Sequence, residues 1–286
     1  MRKNLFCILM RTFIRRPGNK SKLIKKILPL IPDFDGTYIE PFVGTGAMFL
    51  NLEPQKWIIN DINKELIDTW RLVRDDLDFF IEGIDKIKDE LLALDTKEKI
   101  KYCKTLTSEI EKETDARSRA IKYHTMTYCS FQSTLEHSYS TEKYFFTGLY
   151  KPLFKSNTCH VFTDKYKEKI RKLEPLLQDG LVLNEDYCQV LEKAKEGDFV
   201  FLDPPYLGDK EYKFTYNSDE NIDDNFISTL QKELNKLDKK SVKWMMTQVD
   251  SDLSRQYFNK YRIIELDINN GICDKLRKCE LLIMNY

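Results

Sequence analysis

The chain has 286 residues, with 46 Lys and Arg against 46 Asp and Glu, so its formal net charge is zero. On that sum alone a strong polyanion binder is unexpected, because such proteins usually carry a net basic charge. Hydrophobic residues make up 42% and charged residues 32%, which fits a folded globular protein and argues against disorder.

The first predicted element lies in a basic amino-terminal segment, residues 1–32, which holds nine Lys and Arg and no acidic residue. Within it, the apolar periodicity of residues 21–30 predicts a short helix, ended by Pro29 and Pro32. The apolar stretch before it, residues 5–10, is too short for a signal peptide.

Two strands with a glycine turn between them follow, over residues 37–40 and 57–60. Gly44 and Gly46 allow a tight turn and a close approach of the backbone to a ligand at the end of the first strand. Asp61 ends the second strand, where an acid can accept hydrogen bonds from both hydroxyls of a ribose. The third glycine of a dinucleotide fingerprint is absent, which favours a nucleoside ligand without phosphates.

Residues 62–154 interrupt this α/β pattern. Residues 62–122 are polar with a helical period, whereas residues 123–154 are rich in aromatic and hydroxyl side chains. A second basic segment, residues 143–173, holds eight Lys and Arg against two acidic residues. Basic residues interleaved with aromatics suit phosphate contact and base readout. The pattern predicts that residues 62–154 are inserted into the α/β body.

Strand signals return in the second half of the chain, over residues 181–183, 199–202, 244–247, 261–266 and 280–284. Strands that alternate with helices predict an α/β fold with a largely parallel sheet. Asp203-Pro204-Pro205-Tyr206 directly follows the apolar strand 199–202. An acid at the carboxyl end of such a strand lies where α/β sheets bind ligands, so the tetrapeptide is predicted to be functional.

These motifs, in this order, resemble the Dam-type DNA adenine N6-methyltransferases. The resemblance covers most of the α/β body, and the segments that carry it are residues 17–20, 42–51, 61–63, 186, 203–206, 214–216 and 270–282. It implies a Rossmann-like, S-adenosylmethionine-dependent methyltransferase sheet. It also implies a target-recognition, DNA-binding domain over residues 62–159, inserted into a discontinuous catalytic domain of residues 1–61 and 160–286. The inserted domain is then expected to be mainly helical with a hairpin.

The resemblance also implies site residues. Catalysis is expected from Asp203, Pro204, Pro205 and Tyr206. Contacts with S-adenosylmethionine are expected from Arg16, Gly18, Lys20, Glu40, Pro41, Phe42, Gly44, Gly46, Asp61, Ile62, Asp186 and Asp203. DNA contacts are expected from Lys122, Ser130, Gln132, Tyr150, Lys151, Lys155, Arg277 and Lys278.

The tetrapeptide fits the methylation of an amine. The lone pair of an exocyclic amine is delocalised into the ring, and acceptors aimed at its N–H groups stabilise the charge that develops on nitrogen. Asp203 and the Pro204 carbonyl supply two such acceptors, and prolines fix the turn without adding an N–H. Tyr206 is expected to stack on a base that has left the duplex.

Several alternatives share these features. The N4 amine of cytosine needs the same acceptors, and RNA adenine methyltransferases typically have Asn where this chain has Asp203. A DNA-binding regulator with a vestigial cofactor pocket is the non-enzyme alternative. Leu149, Ser130 and Gln132 depart from the family pattern of Arg and Asn, which leaves GATC specificity in doubt.

The sequence also bears on where the protein acts and on what it binds. No apolar run reaches the roughly 18 to 20 residues of a membrane span. The 7 Cys form no Cys-x-x-Cys pair and there are 3 His, so neither a disulfide framework nor a metal site is expected, and a reducing cytoplasm is. The resemblance implies double-stranded DNA and a separately acting restriction endonuclease as partners. The two basic segments are expected to line one DNA-facing cleft.

Overall fold

A central sheet organises the computed structural model, which describes residues 12–16, 20–133, 135–138, 143–149, 162–206, 224–266 and 280–286. Its seven strands run in the order β5-β2-β1-β6-β7-β9-β8. The first five are parallel, and β9 pairs antiparallel with both neighbours. The strands are β1 (Tyr38–Glu40), β2 (Trp57–Asn60), β5 (Gly180–Leu183), β6 (Phe199–Leu202), β7 (Lys243–Val249), β8 (Arg262–Leu266) and β9 (Glu280–Met284). The predicted α/β fold with a mostly parallel sheet is confirmed.

Ten α-helices occur in the described residues. They are α1 (Ile24–Ile27), α2 (Ala47–Leu52), α3 (Lys64–Asp75), α4 (Leu77–Ala93), α5 (Thr96–Glu109), α6 (Ala116–Cys129), α7 (Asp164–Arg171), α8 (Tyr187–Glu192), α9 (Asp224–Lys239) and α10 (Asp252–Tyr257). The predicted helix over 21–30 is only partly α-helical, because 3₁₀ turns at 20–22 and 28–30 flank α1. Pro29 lies in the second turn and lacks the N–H that an α-helix would need.

Strand β6 lies at the centre of the sheet, and its sequence explains this position. All four of its residues, Phe-Val-Phe-Leu, are fully buried. A continuous apolar run is typical of a parallel strand covered by helices on both faces, because each side chain enters one of two cores. The strand therefore delivers the residue that follows it, Asp203, to the carboxyl edge of the sheet from a fixed position.

Helix α3 falls within the predicted insert but packs on the sheet. The Trp70 indole N–H donates to the Gly44 carbonyl at 3.2 Å. The Arg71 guanidinium donates twice to the Val182 carbonyl in β5, at 3.1 and 3.0 Å. Helix α3 thus supports the glycine turn and the edge strand directly.

Helices α4 to α6 and a hairpin extend from α3. The hairpin pairs β3 (Leu135–Ser138) with β4 (Lys143–Phe146). A buried ion pair between Arg119 and Asp68, 2.6 Å apart, joins α6 to α3. The Tyr144 hydroxyl donates to Glu65 at 2.8 Å, which brings the hairpin next to the start of α3. The predicted helices and hairpin are present; whether they form a separate recognition domain stays a prediction.

The amino-terminal segment 12–16 docks on the second basic segment. The Tyr166 hydroxyl in α7 donates to the Phe13 carbonyl at 3.1 Å, and Lys169 donates to the Thr12 carbonyl. Other α7 cations are paired within the chain, Lys167 with Asp85 and Arg171 with Asp78. The two basic segments therefore adjoin each other, but part of their charge is neutralised internally. The proposed DNA-facing cleft stays a prediction.

None of the helices in the described parts of the chain is long and apolar enough to cross a membrane. Those same parts hold no cluster of three or more His, Cys, Asp or Glu side chains suited to a metal ion. Both findings concern the described residues alone.

Candidate active site

The glycine turn after β1 is built from two residues with positive φ. Gly44 has φ of 49° and Gly46 has φ of 68°, in the region that side chains with a Cβ rarely adopt. A Cβ on Gly46 would lie 2.6 Å from the Trp70 ring, whereas one on Gly44 would meet no atom within 4 Å. The turn therefore packs against Trp70 of α3 at Gly46 and borders open space at Gly44.

Asp61 lies beside this turn, as predicted from its place after β2. One carboxylate oxygen accepts from the Gly44 N–H at 3.0 Å, and the other accepts from the Asn63 N–H at 3.0 Å. The neighbouring Ile62 is 73% exposed, although it is a large apolar residue. An acid and an uncovered apolar side chain thus flank the open side of the turn.

Asn60 holds three chain segments together, a role that the sequence motifs did not indicate. Its amide nitrogen donates to the Pro41 carbonyl at 2.9 Å and to the Glu185 carbonyl at 3.0 Å. Its amide oxygen accepts from the Glu185 N–H at 2.8 Å. The end of β2 is therefore joined to the segments that follow β1 and β5 through one buried side chain.

Glu40 ends β1 with its carboxyl group buried beneath the turn. It accepts from the Tyr38 hydroxyl at 2.7 Å and from the Phe49 N–H at 3.2 Å. Burial raises the pKa of Glu40 well above its usual value, and the nearby Asp203 carboxylate raises it further. Glu40 therefore lies close to the tetrapeptide as well as to the turn.

Asp203 is the centre of a compact polar group at the end of β6. The Lys20 ammonium, whose residue is 7% exposed, lies 2.9 Å from Asp203 Oδ1 and 3.5 Å from a Glu280 oxygen. It also donates to the Tyr206 hydroxyl at 2.7 Å. Lys20, which is an expected cofactor contact, thus also forms an ion pair with the predicted catalytic acid.

Two further side chains from β7 reach the tetrapeptide. The Thr247 hydroxyl donates to Asp203 Oδ1 at 2.6 Å, and the Gln248 amide donates to the Pro205 carbonyl at 3.4 Å. Glu280 belongs to β9, and its pKa is raised by burial and lowered in part by Lys20. Thr247 and Gln248 were not among the predicted site residues, because β7 carries no motif. Glu280 lies in the resembling segment 270–282 but was not predicted as a site residue either.

The remaining predicted cofactor residues are more scattered. Pro41 is buried, and the Phe42 ring lies 5.2 Å from that of Tyr187, centroid to centroid. Asp186 is exposed and caps α8 by accepting from the Cys188 N–H at 2.8 Å. Arg16 is half-buried, and Gly18 lies outside the described residues.

The predicted DNA contacts are mostly outside the described residues. This holds for Tyr150, Lys151, Lys155, Arg277, Lys278 and the side chain of Gln132. Of the two that are described, the Ser130 hydroxyl is buried and donates to the Met126 carbonyl at 2.7 Å. The Lys122 ammonium lies 3.0 Å from both Glu109 and Glu113. Both polar groups are therefore already used within the protein.

Comparison with known proteins agrees with this geometry. Residues 17–271 match the family described as D12 class N6 adenine-specific DNA methyltransferase. A type II methyltransferase of Lactococcus lactis subsp. cremoris, M1.LlaDCHI, is 28% identical over 295 residues, which cover 98% of this chain and 96% of the relative. The type II methyltransferase M.MjaIII of Methanocaldococcus jannaschii is 28% identical over 301 residues, covering 97% and 99%. A DNA adenine methylase of Haemophilus influenzae is 24% identical over 272 residues, covering 94% and 90%.

The match decides among the alternatives that the tetrapeptide left open. It spans Lys20, the glycine turn, Asp61 and the tetrapeptide together, whereas Glu280 lies beyond the matched residues. The family methylates the N6 amine of adenine in DNA, which excludes cytosine N4 and RNA as the family's acceptors. The chain belongs to the D12 class of N6 adenine-specific DNA methyltransferases.

Proposed function

We propose that the chain transfers the methyl group of S-adenosylmethionine to the N6 amine of an adenine that has left a DNA duplex. The observation that carries the proposal is the position of Asp203, which follows the central strand and adjoins both Lys20 and the turn-supporting Glu40. An acceptor for the amine and a site for the methyl donor would thus share one edge of the sheet.

The residues around the glycine turn fit the cofactor. The open space at Gly44 can receive a ligand against the backbone, and Asp61 lies within reach of a ribose placed there. The exposed Ile62 offers an apolar surface for an adenine ring.

When bound against the glycine turn and Asp61, S-adenosylmethionine would supply an electrophilic methyl group. The methyl–sulfur bond would break, with its electron pair left on sulfur, as the bond to N6 forms, and the amine would lose one proton to solvent. Asp203 and the Pro204 carbonyl accept hydrogen bonds from the amine, which stabilises the positive charge that develops on nitrogen. Lys20 places a positive charge beside Asp203 before the base arrives. The Tyr206 ring, 4.7 Å from the Lys20 nitrogen, borders the space that the base would enter.

DNA contacts are proposed from the residues for which the resemblance implies them. We retain Gln132, Tyr150, Lys151, Lys155, Arg277 and Lys278, and we omit Lys122 and Ser130 because their polar groups serve internal contacts. The β3–β4 hairpin is proposed to lie against the DNA, since Tyr144 fastens it beside the Asp61 end of the site. Phe131 and Phe145, which are exposed, are available there for stacking on bases.

Substitution of Asp203 tests the proposal. We expect Asp203→Ala to reduce methyl transfer to DNA at least about 1,000-fold, because it removes an acceptor used in the transition state. Binding of S-adenosylmethionine, measured by calorimetry, should change little. Exposed Asp252 in α10 provides the control, and Asp252→Ala should transfer at the wild-type rate. An Asp203→Ala variant that remained active would refute the role assigned to the carboxylate.

The recognition sequence and the biological partner need a different measurement. Because two relatives are named type II methyltransferases, we propose that this chain also protects DNA from a separate restriction endonuclease. Mapping of modified bases across the genome of a methylation-free bacterial host that expresses the protein will give the base and its sequence context. Modified cytosine in place of N6-methyladenine would contradict the proposed acceptor.

A further inference from the structure

Thr247 contacts the predicted catalytic carboxylate from the neighbouring strand. Strands β6 and β7 are parallel, and Leu202 pairs with Met246, so the next residue of each strand lies at the same level. The Thr247 side chain is fully buried, and its hydroxyl donates to Asp203 Oδ1 at 2.6 Å. The sheet register itself therefore sets this contact.

The two contacts on Asp203 are unevenly distributed. Lys20 lies 2.9 Å from Oδ1, the same oxygen that accepts from Thr247. Both polar contacts that the described residues make with this carboxylate thus go to one oxygen. Two donors on Oδ1 restrict rotation about the last side-chain bond, so Oδ2 is directed away from them.

We propose that Thr247 is a positioning residue, which holds Oδ1 of Asp203 so that Oδ2 accepts the hydrogen bond from the target amine. The inference rests on the proposed role of Asp203 in methyl transfer. Lys20 supplies charge but has a long side chain that also reaches Tyr206 and Glu280, so it defines the direction of the carboxylate poorly. The short Thr247 side chain comes from a central strand and supplies that direction.

Kinetics of matched threonine variants test the role. The full-length protein is assayed with tritiated S-adenosylmethionine and with genomic DNA from a methylation-free host. We expect Thr247→Val, which keeps the shape but removes the hydroxyl, to lower kcat about 10- to 100-fold, the usual weight of a hydrogen bond to a charged group. KM for both substrates should stay within about twofold of wild type, because the contact acts on the transition state.

Two further variants separate positioning from packing. Thr247→Ser restores the hydroxyl without the methyl group and should recover kcat to within about threefold of wild type. Thr125 in α6 is also fully buried, and its hydroxyl has no hydrogen-bond partner among the described residues, so Thr125→Val controls for loss of a buried hydroxyl. We expect wild-type kcat for that control.

The outcomes distinguish this inference from the proposed function. Wild-type kcat in Thr247→Val, or a Thr247→Ser variant as slow as Thr247→Val, would overturn the positioning role. A loss in Thr247→Val that is matched by a lower thermal-unfolding midpoint and by raised KM values would also overturn it, since the hydroxyl would then be structural. Absence of methyl transfer by the wild-type protein would instead overturn the proposed function.

Discussion

Gly44 and Gly46 lie two residues apart with similar backbone angles, yet their α-carbons face different surroundings. Gly46 faces the Trp70 ring, and Gly44 faces open space. For any other residue, positive φ costs about 1 to 2 kcal/mol in either position. The difference in stability between alanine variants at the two positions therefore measures packing against α3 separately from backbone strain.

We expect Gly46→Ala to destabilise the protein by about 2 to 4 kcal/mol, since backbone strain is added to a clash with Trp70. Gly44→Ala should cost about 1 to 2 kcal/mol, because only the strain applies. Its methyl group would still enter the proposed cofactor space and weaken S-adenosylmethionine binding. Urea unfolding and calorimetry measure the two effects, and equal loss of stability in both variants would contradict the packing difference.

Individual site residues could be predicted where one segment carries the signal. Asp61 and Asp203 each follow an apolar strand, and both lie at the carboxyl edge as expected. Lys20 stays a predicted cofactor contact. Its ion pair with Asp203 was not predicted, because the path of the amino-terminal segment is not encoded in its own charge pattern. Thr247 is 44 residues from its partner, and no local spacing indicates that contact.

At the scale of elements, Asn60 maintains the mutual position of three strand ends. Its amide satisfies the Pro41 carbonyl and both backbone groups of Glu185. Buried backbone groups that lose their partners cost about 1 to 3 kcal/mol each. The geometry of the proposed cofactor site therefore depends on a side chain that lies behind it.

Asn60→Leu, which is similar in size but apolar, should destabilise the protein by about 3 kcal/mol or more. We also expect weaker S-adenosylmethionine binding, because the turn after β1 loses its link to the segment after β5. Asn51 donates within α2 to the Ala47 carbonyl, so Asn51→Leu serves as the control for losing a local amide bond. If both variants unfolded at the same urea concentration, the Asn60 hydrogen bonds to Pro41 and Glu185 would contribute no more to stability than a local bond within a helix.

Helix α3 shows why the boundary of the insert was harder to predict than the helices within it. Its apolar period indicated a helix, and a helix is present over Lys64–Asp75. The same period is satisfied by any apolar surface, so it did not show whether α3 packs on the sheet or within the insert. The contacts of Trp70 and Arg71 place it on the sheet, and we propose that the insert begins after residue 75.

At the scale of the whole molecule, His124 lies at the junction of the amino-terminal segment, α6 and α7. The Tyr166 hydroxyl donates to the Phe13 carbonyl, so the His124 Nε2–H donates to Tyr166 across 2.7 Å. Aromatic rings of Phe13, Phe80 and Phe162 surround the imidazole. Burial lowers the pKa of His124 to about 3, which keeps the ring neutral at physiological pH.

This depressed pKa predicts a loss of stability in acid. The unfolded chain takes up a proton on His124 below its ordinary pKa of 6.5, whereas the folded protein does so only near 3. The contribution of neutral His124 to the free energy of unfolding is therefore complete above pH 6.5. It declines as pH falls towards 3, by about 2 kcal/mol at pH 5. Urea unfolding at pH 7.5 and pH 5 should show this decline, and His124→Phe should reduce it by that amount. An unchanged pH dependence in His124→Phe would contradict the assignment.

The zero net charge of the chain hides an uneven distribution of charge over the molecule. It is the sum of an acidic body and two basic segments, and residues 12–16 contact α7 of the second segment. The sequence predicted the segments, but it could not show that α7 uses Lys167 and Arg171 for internal ion pairs. Pairing partners come from α4, whose position depends on the whole fold.

The order of strands also has a consequence for synthesis on the ribosome. Strand β9 is made after β8 but lies between β7 and β8, and it contributes Glu280 beside Lys20. While residue 280 is still untranslated, β7 and β8 have no strand between them, although every motif residue from Lys20 to Tyr206 has already been made. A nascent chain would thus contain all the predicted catalytic residues without the completed sheet. We expect methylation to begin only after the last strand has been inserted, which separates the appearance of the polypeptide from the appearance of its activity on DNA.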